Sequence, residues 1–191
     1  MLVEGSTEFG RSFELLSCWG ERRWRPSRGR LSLVVESMPH EIERKFLLKD
    51  RQILKTLEGE FFQQGYIETK DKTAVRVRVV GDEAFLTIKG ENSGIRRLEF
   101  EYAIPREHAS VMLKELCISP MIEKKRYRVK VGGLVWEIDE FLGENLGLYV
   151  AEIELESETQ KFELPDWAGE EVSGQARYYN SQLVNNPFCN W

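Results

Sequence analysis

Histidine and cysteine are scarce in this chain. Two histidines, His40 and His108, and three cysteines, Cys18, Cys117 and Cys189, occur among 191 residues. So few histidines exclude a histidine-rich metal centre, and the absence of any C-x-x-C spacing excludes a cysteine-rich zinc site. An odd, scattered set of cysteines also argues against a disulfide framework and for a reducing compartment, the cytoplasm. No apolar run approaches the length that crosses a bilayer, so no membrane partner is expected. Positive charge is in deficit, with a net charge of −5, which disfavours a nucleic-acid-coating protein. No G-x-x-x-x-G-K-[ST] run is present, and Gly90–Gly94 does not supply one. Any phosphate would therefore be held by side chains and not by a glycine-rich backbone cradle.

Hydrophobic residues make up 41% of the chain, enough for one sizeable core, and charged residues make up 31%, above the ordinary level. Residues 1–37 stand apart, with six arginines, no lysine and no sustained periodicity. They are expected to be an extension, disordered or outside the domain, with residues 38–191 forming the functional unit. Within that unit, apolar and ionic residues alternate with the period of a strand. Strands are expected at 41–48, Phe61–Thr69, Ala74–Val80, Ala84–Lys89, Arg97–Ala103, Ile122–Val131, Leu134–Phe141 and Leu146–Glu156. Gly81-Asp82 and Gly132-Gly133 read as hairpin turns. Helices are expected at Lys49–Leu57, from Pro105 to about Leu116, and at Ala176–Val184. The fold class is mainly β (α+β): eight antiparallel strands that can close into a barrel, with a few flanking helices.

A charged sheet face ordinarily just meets water. Here the alternation delivers Glu41, Glu43, Glu99, Glu101, Glu137, Asp139, Glu152 and Glu154. It also delivers Lys45, Arg76, Arg78, Lys89, Arg97, Lys124 and Arg126. Acids and bases segregated by strand suit an enclosed, water-filled tunnel, because buried charges are tolerable only when paired, metal-bound or wet. The Val75-Val77-Val79 and Trp136-Ile138 faces would then point outward under the helices. Glu41 and Glu43, two apart on a strand, lie roughly 7 Å from one another and can lean onto one cation. Carboxylates without histidine or cysteine favour Mg²⁺ or Mn²⁺, and arginine forks and lysine ammoniums bind phosphate oxygens. The chemistry indicated is phosphoanhydride cleavage by a metal-activated water.

The triplet Glu41-x-Glu43-x-Lys45 resembles the signature of the CYTH superfamily, the triphosphate tunnel metalloenzymes. The likeness continues through Gln64-Gly65-Tyr66, Val75-Arg76-Val77-Arg78, Thr87-Ile88-Lys89, Arg97-Leu98-Glu99-Phe100-Glu101, Glu123–Tyr127, Trp136–Phe141, Ala151–Leu155 and Tyr178-Tyr179-Asn180. The resemblance implies an eight-stranded tunnel that binds triphosphate with Mg²⁺ or Mn²⁺, and, by length, a short bacterial-type tripolyphosphatase. It implies Glu41, Glu43, Glu152 and Glu154 as the main metal ligands, with Asp139, Glu99 and Glu101 beside them. Arg76, Arg78, Lys89, Arg97, Lys124 and Arg126 would form the triphosphate cradle. Lys45 and Tyr66 would sit together near the metal and tune its preference. Arg128 reads as a surface charge, and Arg177 as a weak candidate for a basic residue over the tunnel. Adenylate cyclase of the class IV type, thiamine triphosphatase and a non-catalytic polyphosphate-binding module are the alternatives. An apolar outer face with few helices to cover it is compatible with a homodimer.

Overall fold

Two glycine turns set the register of much of the sheet. Gly81 (φ 54°) turns the chain from strand β3 (Ala74–Val80) into β4 (Glu83–Lys89), and Gly132 and Gly133 (φ 58° and 85°) turn β6 (Ile122–Val131) into β7 (Leu134–Phe141). Such left-handed residues give a two-residue turn the twist that flanking strands need, and only glycine adopts them without strain. In the computed structural model residues 40–91, 93 and 95–191 are described, and the expected extension over 1–37 lies outside them. The remaining strands are β1 (His40–Leu48), β2 (Gly59–Ile67), β5 (Arg96–Ala103), β8 (Tyr149–Glu154) and β9 (Ala168–Glu171), and the helices are α1 (Arg106–Glu115) and α2 (Asn180–Asn185).

The sheet runs β5-β4-β3-β2-β6-β7-β8-β1, and β1 pairs back onto β5, which closes an antiparallel ring of eight strands. One edge of β1 takes β8 from Glu43 to Leu47. The other edge takes β5 at its start, through Glu41↔Arg97, and β9 at its end, through Phe46↔Glu171. Strand β9 is an addition to the expected eight. Its Ala-Gly-Glu-Glu sequence lacks the β-branched residues that mark strands. Backbone bonds hold it instead: Lys49 N–H donates to Trp167 O and Val172 N–H to Lys45 O, each at 2.8 Å. Gly169 permits this approach, since a Cβ there would stand 3.0 Å from Leu47 O.

Other boundaries shift for local reasons. The helix expected at Lys49–Leu57 is a single 3₁₀ segment, Arg51–Thr56, capped by Asp50 accepting from Gln52 N–H at 2.9 Å. The last long strand begins at Tyr149, not Leu146, because a 3₁₀ turn at Gly143–Asn145 and left-handed Gly147 (φ 97°) precede it. The terminal helix splits into a 3₁₀ turn, Ala176–Tyr178, and α2.

Two of the three apolar clusters lie outside the ring, as the alternation requires. Val77 and Ala84 are buried beneath Ala109 and Leu113 of α1. On the opposite side Ile42, Phe46, Trp136, Ile138 and Ile153 are buried under the 3₁₀ segment and the 162–167 stretch. There Trp136 meets Phe46 at 5.4 Å, Phe162 at 5.8 Å and Trp167 at 5.3 Å, ring centre to ring centre. A third cluster seats Leu183 and Val184 of α2 against Tyr66, Ile122, Phe141 and Val150. Ile122, Phe141 and Val150 share the inward face with Lys124, Asp139 and Glu152, so this third cluster plugs one end of the bore and ions line the rest, while Ile88 and Tyr102 stay exposed on the outside. Truncation of the central ring, Trp136→Ala, is expected to cost about 3–5 kcal/mol in chemical denaturation. A loss below about 1 kcal/mol would show that the outer aromatic cluster does not hold the barrel closed.

Candidate active site

The ring holds a cavity of about 610 Å³ whose walls are mostly charged. Strand β1 contributes Glu41, Glu43 and Lys45; β3 contributes Arg76 and Arg78; β4 Lys89; β5 Arg97, Glu99 and Glu101; β6 Arg126 and Arg128; β7 Glu137; β8 Glu152 and Glu154. These are alternate residues of each strand, so the period of two places them together. At one end, beside the hairpin turns 81–82 and 132–133, stand Glu60, Val80, Glu83 and Val135. At the other, Tyr66 and Ala74 meet Tyr179, Asn180 and Ser181 of the C-terminal segment.

Each base is engaged by acids. Arg97 reaches Glu41 at 2.8 Å and Glu43 at 3.0 Å, and Lys89 bridges Glu41 at 2.9 Å and Glu99 at 2.7 Å. Arg76 and Arg78 converge on Glu101 at 3.1 and 2.9 Å, and Thr87 Oγ1 donates to the same carboxylate at 2.6 Å. Lys45 lies 3.1 Å from Glu43 and is bonded to Glu152. Arg126 binds Glu137, Glu152 (3.0 Å) and Asp139 (2.6 Å). Glu154 stands in the same cavity with no ion pair among the described residues.

The proton equilibria follow from this crowding. Burial, then the neighbouring Glu41 carboxylate, pushes Glu99 up to about 7. Burial and the charges of Glu41, Glu137 and Glu43 likewise raise Glu154. Burial opposes ionisation of Glu41, but its bond with Glu99 and the charges of Lys89 and Arg97 outweigh that and hold its carboxyl below the usual range. Burial works against the charged form of Lys45, yet Glu152 and Glu43 keep it firmly protonated. Tyr66 is buried, which raises its phenol, and its hydroxyl accepts from Gln64 Nε2 at 3.1 Å.

The donor chemistry fits a hard divalent cation. The acids lining the cavity are all carboxylates, and Glu99 and Glu154 are crowded by like charge that a cation would relieve. Among the described residues no three carboxylates yet converge as a metal-holding group, because lysines and arginines stand between them. Two of the expected site residues do not line the cavity: Lys124 and Asp139 share the inward face with Arg126 but are buried toward the apolar end of the bore, paired with one another at 2.5 Å. The other expected residues, Lys45 and Tyr66 included, share the cavity. Arg128 does too, half exposed at the mouth between Glu60 (3.0 Å) and Glu137 (2.9 Å), where a plain surface charge was expected. Its spacing from Lys124 and Arg126 was the available signal. Arg177 does not line the cavity; its guanidinium lies 3.8 Å from the centre of the Trp191 ring. Phe62, Tyr179, Asn180 and Ser181 were not anticipated as wall residues, since nothing in a lone aromatic or a C-terminal turn indicates a bore.

Residues 39–184 match the CYTH domain. The chain belongs to the CYTH family. An inorganic triphosphatase of Acetivibrio thermocellus is 49% identical over 154 residues, covering 81% of this chain and 99% of that protein. A second inorganic triphosphatase, from Nitrosomonas europaea, is 37% identical over 152 residues, with coverage of 75% and 96%. The crystal structure of an inorganic triphosphatase superposes with a TM-score of 0.54 at 34% identity, over 75% of this chain and 93% of that one. This CYTH chain thus carries the family's closed eight-stranded barrel.

The ion pairs of the wall and of the outer surface should differ sharply in worth. Lys45→Met leaves Glu43 and Glu152 facing each other, and is expected to cost about 3 kcal/mol in urea denaturation. Lys72→Met breaks an exposed pair with Glu91 and should change stability by less than about 1 kcal/mol. Equal effects from the two would show that the bore is as wet and screened as the outside.

Proposed function

We propose that this protein is a divalent-metal-dependent triphosphatase that cleaves a phosphoanhydride bond of inorganic tripolyphosphate. The observation that carries this reading is one cavity inside the barrel in which rows of arginine and lysine face rows of carboxylates. The two inorganic triphosphatase relatives, matched over nearly their whole length, support the same substrate class. Arg76, Arg78, Lys89, Arg97 and Arg126 are the groups that take the phosphate oxygens. Their guanidinium forks and ammonium donors now rest on glutamates, and an entering polyanion replaces those partners with phosphate.

The exchange frees the glutamates. Glu41, Glu43, Glu152 and Glu154 are the carboxylates that would hold Mg²⁺ or Mn²⁺. When bound, such an ion neutralises phosphate charge and lowers the pKa of a water for attack at phosphorus. Lys45, fixed between Glu43 and Glu152, orients those two carboxylates; burial opposes ionisation of Glu152, and the Lys45 charge outweighs it. Tyr66 and the C-terminal Tyr179 and Asn180 close one end of the bore with uncharged groups, which limits bulk water there. The rows of charge favour an inorganic chain over a nucleotide; of the rings that line the cavity, Phe62 and Tyr66 are buried and Phe85 lies under the Arg78 guanidinium, 5.3 Å from the ring centre. The scattered cysteines, of which Cys117 and Cys189 are free, support a reducing compartment, the cytoplasm, as its place of action.

Phosphate release from tripolyphosphate is expected with Mg²⁺ or Mn²⁺ and should vanish on chelation. ATP should be cleaved more slowly and give no cyclic AMP. Glu41→Gln is expected to lower kcat at least about 100-fold, the order of magnitude for losing one preorganised electrostatic group. No release from any triphosphate by wild type and variant alike would overturn the reading.

A further inference from the structure

Strand β1 carries Glu41, Glu43 and Lys45 into the bore, and one of its edges has a break in its neighbours there. On that edge β5 pairs with His40–Ile42, and β9 takes over at Phe46. Between the two, Glu43 N–H reaches Ile95 O at 3.3 Å, a long bond, and Val172 N–H reaches Lys45 O at 2.8 Å. The Lys45 N–H is bonded to a side chain: it donates to Ser173 Oγ at 3.0 Å. The break is also a gap in the wall. A niche of about 10 Å³ lies between Glu43, Lys45, Arg97 and Tyr179, which also line the bore, and Ser173 and Gly174, which do not.

The Ser173 hydroxyl has a fixed orientation. It donates its proton to Glu171 Oε1 at 2.7 Å, which leaves its lone pairs for the Lys45 N–H. Glu171 is held in turn by Arg44, whose Nε donates to Oε1 at 2.7 Å and whose Nη2 donates to Oε2. Arg44 precedes Lys45 in the chain but projects to the outside of the barrel, its guanidinium 4.9 Å from the centre of the Phe162 ring. The bonds from Arg44 to Glu171, to Ser173 and to the Lys45 N–H therefore begin and end on adjacent residues of β1. They close a loop around the peptide that joins those residues.

We propose that Arg44, Glu171 and Ser173 are positioning residues, an outer clasp that fixes the Lys45 peptide and so holds the Lys45 ammonium between Glu43 and Glu152. The proposal rests on the triphosphatase reading, in which those two carboxylates hold the divalent cation. An exposed arginine–glutamate pair ordinarily contributes little, but this one is bidentate and its far end is the backbone of a site residue. Lys45 is bonded to Glu152 and lies 3.1 Å from Glu43. A long side chain holds two carboxylates at a set separation only while its own backbone is set. The niche has about the room one water takes, so a water can satisfy the Lys45 N–H when the hydroxyl is removed. That water would keep a Ser173→Ala protein folded without tethering β1 to Glu171.

The experiment compares Ser173→Ala, Ser173→Thr, Glu171→Gln and the double variant Lys45→Met/Ser173→Ala in the full chain. It reads exchange of the Lys45 amide by nuclear magnetic resonance and Mn²⁺ affinity by electron paramagnetic resonance, both starting from metal-free protein. Ser173→Ala is expected to speed exchange of that amide at least about tenfold, a local opening that leaves the rest of β1 protected. It should weaken Mn²⁺ binding roughly tenfold, the lower end for losing an outer partner of a metal ligand. Ser173→Thr keeps the hydroxyl and should restore Mn²⁺ affinity to within about twofold of wild type. Glu171→Gln keeps the shape of the clasp and weakens its charge-assisted bonds, so it should weaken Mn²⁺ binding roughly threefold, and it carries the test if Ser173→Ala does not fold. Beside Lys45→Met, Ser173→Ala should have little further effect on Mn²⁺ affinity, because residues that act through one group are not additive. A Ser173→Ala protein with a lower Tm but unchanged Mn²⁺ affinity, or additive losses in the double variant, would overturn the clasp and leave the triphosphatase reading intact. A wild-type protein that binds no Mn²⁺ would overturn the metal reading and the proposal with it.

Discussion

A short stretch of pairing, β1 against β5, decides what the rest of the molecule can be. Three residue pairs make the junction: His40↔Leu98, Glu41↔Arg97 and Ile42↔Arg96. Without it the sheet is open, and its ionic face would meet bulk water, where arginine–glutamate pairs contribute little. With it the same face becomes the inner wall of a bore. The junction itself carries part of the site, since the Glu41 and Arg97 side chains that project inward from it are bonded to each other at 2.8 Å. Closure and chemistry are thus joined at one point of the backbone.

A charged bore is costly to form, and the structure offsets the cost in two ways. Bases and acids are interleaved, so that Lys89, Arg97, Lys45 and Arg126 each touch two or more carboxylates. The apolar volume that drives folding is moved outside, beneath α1 and around Trp136. Apart from the apolar end at Ile122, Phe141 and Val150, the barrel is therefore turned inside out relative to small barrels whose interior is packed hydrocarbon. The surplus of acid that remains, felt at Glu99 and Glu154, is what a cation accompanying a polyanion would neutralise. A site already balanced by its own ion pairs exchanges partners on binding without exposing unpaired charge, which keeps the penalty for desolvating phosphate low.

Much of this was legible in the sequence. The alternation in Val75–Val79, in Arg97–Glu101 and in Trp136–Asp139 gave strand positions and inner faces, and Gly81-Asp82 and Gly132-Gly133 gave hairpins. What escaped was structure without a side-chain pattern. Strand β9 is held by backbone bonds and by the smallness of Gly169, and no alternation marks it. Tyr179, Asn180 and Ser181 reach the cavity only because α2 folds back onto Ile122 and Val150, a contact between segments far apart in the chain. Depth was equally invisible. Lys124 and Arg126 share the inward face by spacing, yet one is buried toward the apolar end of the bore and the other lines the cavity.

The sequence by itself determined the class of the fold, the chemical character of the inner face and the family, because a period of two is a local property that each strand carries alone. The tertiary structure alone decided which ions share a cavity, which are spent holding their neighbours, and where the bore ends. Those depend on closure and stagger of the ring, which bring side chains from β1, β5 and β8 to within bonding distance across stretches of chain that local pattern does not connect.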